Sequence, residues 1–286
     1  MDVRTVPIDT EPDSFPAATT DRDPLRWLHA IDDDRIELTR FWPVVHNMVV
    51  QELRVRYQRS MLGFFWTLLH PVLMMTILTL VFSKIFKTDH YAIYLFSGMV
   101  PWGFLTASLN ECAMCIITNE GLIRKIYLPK LIFPLTRVLI NLTTFILSMG
   151  ALFLLLKPLG SRFSLPMLLL PVVTSMFFLF TVGLGMLVAT ANTFFRDCAH
   201  LVSVFLQAWY FATPIIYEAR QFPEDTRWRF WLNPAYPFID MFQVIIRDGQ
   251  WPQWTTFMVA AAIASVSLGI GYAAFKSQED KLVFRL

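Results

Sequence analysis

Hydrophobic residues in this chain gather into long runs separated by short polar connections. Six of the runs reach roughly the 20 residues that a membrane helix needs at about 1.5 Å rise per residue. They cover approximately residues 62–82, 92–117, 131–156, 165–191, 199–217 and 255–275. The second contains Gly98 and Pro101, and the fourth contains Pro171 with Gly183 and Gly185, so neither need be straight. The fifth is interrupted by Gln207 and has Pro214 near its end.

Between the runs the period changes. Ahead of the first, Trp42, Val45, Val49, Leu53 and Tyr57 recur at spacings of three and four, which places them on one face of a helix. Asn47, Gln51, Arg54 and Gln58 fall on the opposite face, and a helix so divided lies in the headgroup plane rather than crossing it. Residues 118–130, "TNEGLIRKIYLPK", form the one substantial connection on their side of the bundle. Asn119 is placed to cap a short helix there, Leu122, Ile123 and Ile126 give it an apolar side, and Pro129 ends it. Such a mixed-face helix suits docking to a soluble partner. The segment 218–254 holds Trp228, Trp231, Trp251 and Trp254, four of the nine tryptophans, as expected of chain at a membrane interface. Within it "PFIDMFQVII" is apolar but too short to span, the pattern of a re-entrant or interfacial helix between turns at Asn233-Pro234 and Asp248-Gly249.

Composition supports the same class. The 286 residues are 55% hydrophobic and 16% charged, against about a quarter charged in a soluble domain. A net charge of +2 gives nucleic-acid binding no electrostatic support. With the N-terminus inside, sixteen Lys and Arg fall on cytoplasmic segments and eight on outside ones, so both termini are predicted to be cytoplasmic. The fold class expected is an all-α membrane protein with six transmembrane helices, an N-terminal amphipathic interfacial helix and short re-entrant or interfacial helices before the last span. Its divisions would be a flexible cytoplasmic tail (1–35), the interface helix (36–60), a membrane domain (61–276) and a cytoplasmic C-terminal tail (277–286). Within the membrane domain, 118–130 would be a cytoplasmic coupling loop and 218–254 an external gate region.

The chemistry of an enzyme is missing from the pattern. No Gly precedes a Lys anywhere, so there is no P-loop, and G-x-S-x-G, H-E-x-x-H and G-x-G-x-x-G are absent too. Cys112-x-x-Cys115 lies inside an apolar run without a second ligand pair, and Cys198-Ala-His200 adds little to it, so these thiols read as small hydrophobes and no metal site is predicted. A membrane-embedded transferase of polyprenyl-linked sugars would need an acidic cluster beside a phosphate clamp. Asp32-Asp33-Asp34 has no such clamp. Asn110-Glu111 in the second run must be paired, protonated, or facing water or a helix interface. The pair reads either as a gate or pathway position or as a Glu near the cytoplasmic end. His70-Pro71 reads as a kink with a polar neighbour.

The stretch "LRVRYQRSMLGFFWTLLHPVL" (53–73) resembles the entry segment of permease subunits in bacterial ABC polysaccharide exporters, which handle O-antigen, capsule and teichoic acid. The matching positions are Arg56, Tyr57, Ser60, Leu62, Gly63, Trp66 and Pro71. "GMVPWGF" (98–104), "NEGLIRKIYLPKLIFPL" (119–135), "FFRD" (194–197), "TPIIY" (213–217) and "LNP" (232–234) follow in the family's order. This resemblance implies a non-enzymatic transport subunit in the bacterial inner membrane. It implies a homodimer that pairs with two copies of a nucleotide-binding ATPase subunit, on which ATP and Mg reside, with no cofactor on this chain. Asn119, Glu120, Leu122, Ile123, Arg124, Lys125 and Tyr127 would form the helix that seats in the ATPase, with Arg54 and Arg56 nearby. A lipid-linked polysaccharide would pass between the protomers, along aromatic rings whose faces pack on sugar C–H bonds. Phe64, Phe65 and Trp66 in the first span, and Phe205, Trp209, Tyr210, Phe211 and Tyr217 in the fifth, are the rings so placed. His70, Asn110, Glu111 and Asn233 would be gate or intramembrane polar positions. A related ABC permease for a drug, lipid or small hydrophobic substrate would share the same topology.

Overall fold

The computed structural model describes residues 34, 36–58, 65–86, 90–156 and 163–285, and the chain divides into two units, Met1–Arg40 and Phe41–Leu286. In the first unit residues 36–40 are helical. In the second, the described residues are all helix, turn or coil, with no strand.

Helix α1 (Trp42–Tyr57) opens with Pro43 in its first turn, where the missing N–H is no loss. Its polar face is exposed at Asn47, Gln51, Arg54 and Gln58, and Val45 is fully buried on the other side. Trp42, on the same apolar face, is half exposed, and the Tyr57 side chain lies outside the described residues. α1 packs on α5 (Ile132–Leu156). Between them in the chain come α2 (Phe65–Phe86), α3 (Tyr91–Thr118) and the four-residue α4 (Glu120–Ile123). A 3-10 turn, Leu165–Leu169, leads into α6 (Leu170–Phe194), and α7 (Cys198–Ala212) follows. Short turns and α8 (Glu224–Arg227) precede α9 (Tyr236–Gln243), a π turn (Val244–Asp248) and α10 (Trp254–Arg285).

Six membrane-length runs were expected; among the described residues four helical stretches are long and apolar enough to cross, Tyr91–Thr118, Ile132–Leu154, Leu165–Phe194 and Trp254–Glu279. The described apolar part of α2 is the shorter Val72–Ser83. The fifth run, expected to reach residue 217, stops at Ala212, leaving a helix of about 22 Å. Pro214 explains the stop, because a residue before proline is driven out of the helical region, and Thr213 sits at φ −102°, ψ 131°. At the other end of the chain the helix continues through the residues expected to form the C-terminal tail. α10 runs on to Arg285, with a Lys276–Glu279 ion pair one turn apart.

α3 is the central helix. It packs against α2, α5, α6, α7 and α9, and residues such as Ile93, Leu95, Phe96, Leu105 and Ile116 are wholly buried. A ring cluster fills the space beside it: Phe104 and Phe145 meet at 5.4 Å, Phe177 and Phe238 at 5.2 Å, Phe180 and Phe238 at 5.0 Å. α9 enters this cluster as the short apolar segment seen in the sequence. Phe238, Ile239, Met241 and Phe242 are all at zero exposure, while Asp240 between them is only half-buried, as expected of an amphipathic helix with its apolar face in the core. It is a buried element inside the bundle, and not one lying along its surface.

The closest helix contact joins α6 and α10. A Cβ on Gly183 would fall on the backbone of Ser267, and one on Gly271 would fall on the carbonyl of Gly183. Ser267 Oγ also donates to the Phe180 carbonyl at 3.0 Å. Small residues permit this backbone approach, which in an apolar solvent is the main source of helix association.

Candidate functional site

The two ends of α3 hold two different groups of polar residues. With 28 residues, α3 separates them by about 42 Å.

At its C-terminal end α3 leads into α4, and α1 is braced across the base of α3 and α5 by two ion pairs. Arg56 Nη2 donates to Glu111 Oε1 at 2.9 Å, and Arg137 Nη1 lies 3.1 Å from Glu52 Oε1. Glu111 is thereby paired, through a helix interface, while its Oε2 is buried without a hydrogen bond among the described residues. Asn110 beside it accepts a bond from Ser203 Oγ at 2.8 Å and so ties α3 to α7. Asn119 was expected to cap α4. Its Nδ2 instead donates back to the Cys115 carbonyl at 2.7 Å, and α4 has no side-chain cap. With its amide N–H turned back onto an open carbonyl at the end of α3, the Asn119 side chain does not offer its Oδ1 to the N–H groups of α4. Beyond it Glu120 and Arg124 pair at 2.7 Å on the surface, Leu122 and Ile123 are half-buried, and Lys125, Ile126 and Tyr127 are exposed. Arg54 is exposed as well.

The Arg56–Glu111 pair permits a direct test. Arg56→Glu sets two carboxylates together over a half-buried oxygen and is expected to destabilise the protein by about 1–3 kcal/mol, the usual cost for a buried pair discounted for partial exposure. The double exchange Arg56→Glu with Glu111→Arg should restore at least half of the loss. Thermal unfolding in detergent measures both, and an unstable double variant would show that the pair does not act as a brace.

Along α3 and α7 the aromatic residues expected to line a passage come together in part. Phe205 and Trp209 lie 5.4 Å apart on α7, and Trp102 of α3 meets both Trp209, edge-on at 5.6 Å, and Tyr210, at 5.9 Å. Phe205 and Phe211 are exposed on the outward face of α7 with Leu201 and Val204. Trp102 was not foreseen, although "PWGF" put it in view; only the crossing of α3 and α7 makes it the ring that meets two others. Below it a cleft of about 500 Å³ opens between α3 and α5, where Thr106, Asn141, Thr144 and Ser148 present hydroxyl and amide groups beside the Trp102 and Tyr210 rings. Phe64 lies outside the described residues. Phe65, Trp66 and His70 fall on the first turns of α2, with side chains likewise outside them.

Tyr217 does not join this group. Its hydroxyl donates to the Phe211 carbonyl at 2.9 Å, its ring packs on Phe222 and Phe230, and burial raises its phenol above the usual range. Asn233 proves to be a fastener: it accepts from the Trp209 indole N–H at 2.7 Å and from its own chain at Ala235 N, and it donates to Thr213 Oγ1 at 2.8 Å. Tyr91 and Tyr94, at the N-terminal end of α3, donate to the carbonyls of Ile216, Pro214 and Tyr217. The 218–254 segment is thus held at the end of α3 opposite α4. Asn192, also missed in the sequence, is fully buried, donates to the Ala113 carbonyl at 2.7 Å and accepts from Ala199 N. Cys112 and Cys115 are buried in the helix packing, with Cys112 Sγ 3.6 Å from the Pro134 carbonyl.

Comparison with known proteins places this arrangement. Residues 44–246 match the family described as "ABC-2 type transporter". An O-antigen export system permease protein of Myxococcus xanthus is 29% identical over 249 residues, which span 86% of this chain and 96% of that protein. A protein of the same description from Klebsiella pneumoniae is 27% identical over 70% of this chain and 78% of its own length. A polysialic acid transport protein of Escherichia coli is 21% identical over 84% of this chain and 95% of its own.

Proposed function

The chain belongs to the ABC-2 type transporter family, and from that premise we propose that it is the membrane-spanning subunit of an ATP-driven exporter of a lipid-linked polysaccharide, of the O-antigen kind. The observation that carries the reading is the coverage of 78–96% of the length of relatives described as O-antigen and polysialic acid transporters, from three organisms. The chain has six spans in this reading, α2 and α7 completing the four long helices, and both termini are cytoplasmic in the bacterial inner membrane. Two copies assemble with two copies of an ATPase subunit, which supplies the P-loop that this sequence lacks.

The geometry suits that division of labour. α4 and the exposed residues Arg124, Lys125, Ile126 and Tyr127 hang below the ends of α3 and α5, so a push on this loop reaches the central helix and its partner directly. α1 is braced to the same two helices and moves with them. ATP binding by the partner then biases a two-state arrangement of the helices that face the second protomer. Rings on α3 and α7, with hydroxyls below them, offer sugar faces and sugar hydroxyls a surface without strong binding at any one register.

Deletion of the gene from its host tests the cargo. Lipid-linked polymer should accumulate on the cytoplasmic side of the membrane while synthesis continues, measured by glycan analysis of inner-membrane lipid. Unchanged glycan pools together with retention of a small hydrophobic compound would replace this reading with a drug or lipid permease.

A further inference from the structure

At the end of the molecule opposite α4, a cavity of about 320 Å³ lies between residues 214–220, α9 with its π turn, and residues 250–256. That is the small end of the range for ligand clefts, about 300–1,000 Å³. Six charged side chains line it, three arginines and three carboxylates. Five of them are engaged with one another or with the backbone. Arg247 Nη1 meets Glu218 Oε1 at 2.8 Å and its Nε lies 3.4 Å from Asp248 Oδ1, while Arg220 Nη2 reaches Asp248 Oδ2 at 3.2 Å. Arg227 donates to the carbonyls of Phe222 and Arg220, both at 2.9 Å.

Asp240 is the exception. Among the described residues it forms no ion pair, and its one hydrogen bond is a long one, 3.4 Å, from the Tyr236 hydroxyl. Burial pushes its carboxyl up to about 6, against the opposing pull of Arg220. A half-buried carboxyl with spare acceptor capacity, beside a cavity, is a group waiting for a donor. Two indoles stand at the same cavity, Trp231 and the more exposed Trp251, together with the side-chain amides of Gln250 and Gln253.

Charge selects among ligands. An anion entering here meets arginines already committed to carboxylates or carbonyls, and would have to break those bonds. A cation would find one uncommitted carboxylate, Asp240, against three guanidinium groups. A neutral polyhydroxy ring meets neither obstacle: its hydroxyls donate to the free carboxyl and accept from the amides, and its C–H faces cover the indoles. We propose that this cavity binds a single neutral pyranose unit of the emerging glycan, with Asp240 accepting from its hydroxyls and Trp231 and Trp251 covering its ring. The site lies beyond the Trp102–Trp209–Tyr210 rings, so it holds sugar that has already passed them. It rests on the reading of the cargo as a glycan.

Photo-crosslinking tests it on the full-length protein in lipid nanodiscs. Diazirine-bearing methyl α-mannopyranoside, methyl α-galactopyranoside and methyl α-rhamnopyranoside serve as probes, and labelled peptides are located by mass spectrometry. At least one neutral probe should label peptides within 218–256, and the same unlabelled glycoside should compete while glucuronate and inorganic phosphate do not. Asp240→Ala should lower that labelling about tenfold, the worth of one charge-assisted hydrogen bond, while Asp240→Asn, a neutral acceptor, falls between that variant and the wild type. Trp251→Ala, at a ring more than half exposed, should weaken labelling too, and it decides the matter if Asp240→Ala does not fold. Labelling that is not competed, that survives both alanine variants, or that yields to glucuronate or phosphate first would overturn the proposal. Accumulated polymer in the deletion strain without cavity labelling removes this site and leaves the export reading intact. Labelled cavity without accumulated polymer does the reverse.

Discussion

Exchanging Arg124 and Lys125 for glutamate is expected to cut polysaccharide export by at least about tenfold while the protein still inserts. Both side chains are exposed on the loop after α4, so the bundle loses little by the change. The Glu120–Arg124 pair that would break is a surface pair one turn apart, 57% and 36% exposed at its arginine and glutamate, and such pairs contribute at most about 1 kcal/mol. The effect on a partner is of another size. Reversing two charges at a docking surface places like charges face to face, which costs several kcal/mol at an interface and slows encounter. Export measured by surface glycan, alongside co-purification of the ATPase subunit, checks both steps. Normal export by the double variant would remove the coupling role from this loop.

Filling the α6–α10 contact should do more damage still. Gly271→Leu and Gly183→Leu are each expected to abolish accumulation of folded protein, because the obstacle to the new side chain is backbone on the facing helix. Overpacking against flexible side chains costs about 1–3 kcal/mol; a helix pair that must separate along its length loses far more of its packing. Gly269, one residue pair away on the same helix, has open space where a Cβ would stand. Gly269→Ala should therefore be neutral or slightly stabilising, since alanine favours helix over glycine by up to about 1 kcal/mol. Detergent-extracted yield and thermal unfolding of the three variants measure the contrast. Folded Gly271→Leu at wild-type yield would mean that α6 and α10 are not closely packed.

Much of the candidate site was legible because lipid leaves strong traces in a sequence. The apolar lengths marked α3, α5, α6 and α10, the Trp-rich stretch marked 218–254, and "TNEGLIRKIYLPK" marked an exposed loop. Phe205, Trp209 and Tyr210 were picked out as rings of the fifth apolar run, on the family resemblance. Trp102 and Asn192 were not readable in the same way, nor was the fastening role of Asn233. Each does its work through a residue far off in the chain, as when Asn233 receives the Trp209 indole N–H. Asn119 misled for a related reason: position suggested a cap for α4, and the end of α3 had the better claim on its amide.

What the sequence by itself determined is the solvent of each segment, since hydrophobic run length, the absence of a phosphate-binding loop and the positions of Pro, Gly and Trp depend only on local order. Tertiary structure alone decided which charges are spent and which are left over. Glu111 is paired with Arg56, Glu218 and Asp248 with arginines of the same segment, and Asp240 forms no ion pair among the described residues. Coulomb and hydrogen-bond energies act over a few ångströms, and nothing in the order of residues says which side chains the packing of helices will bring within that reach.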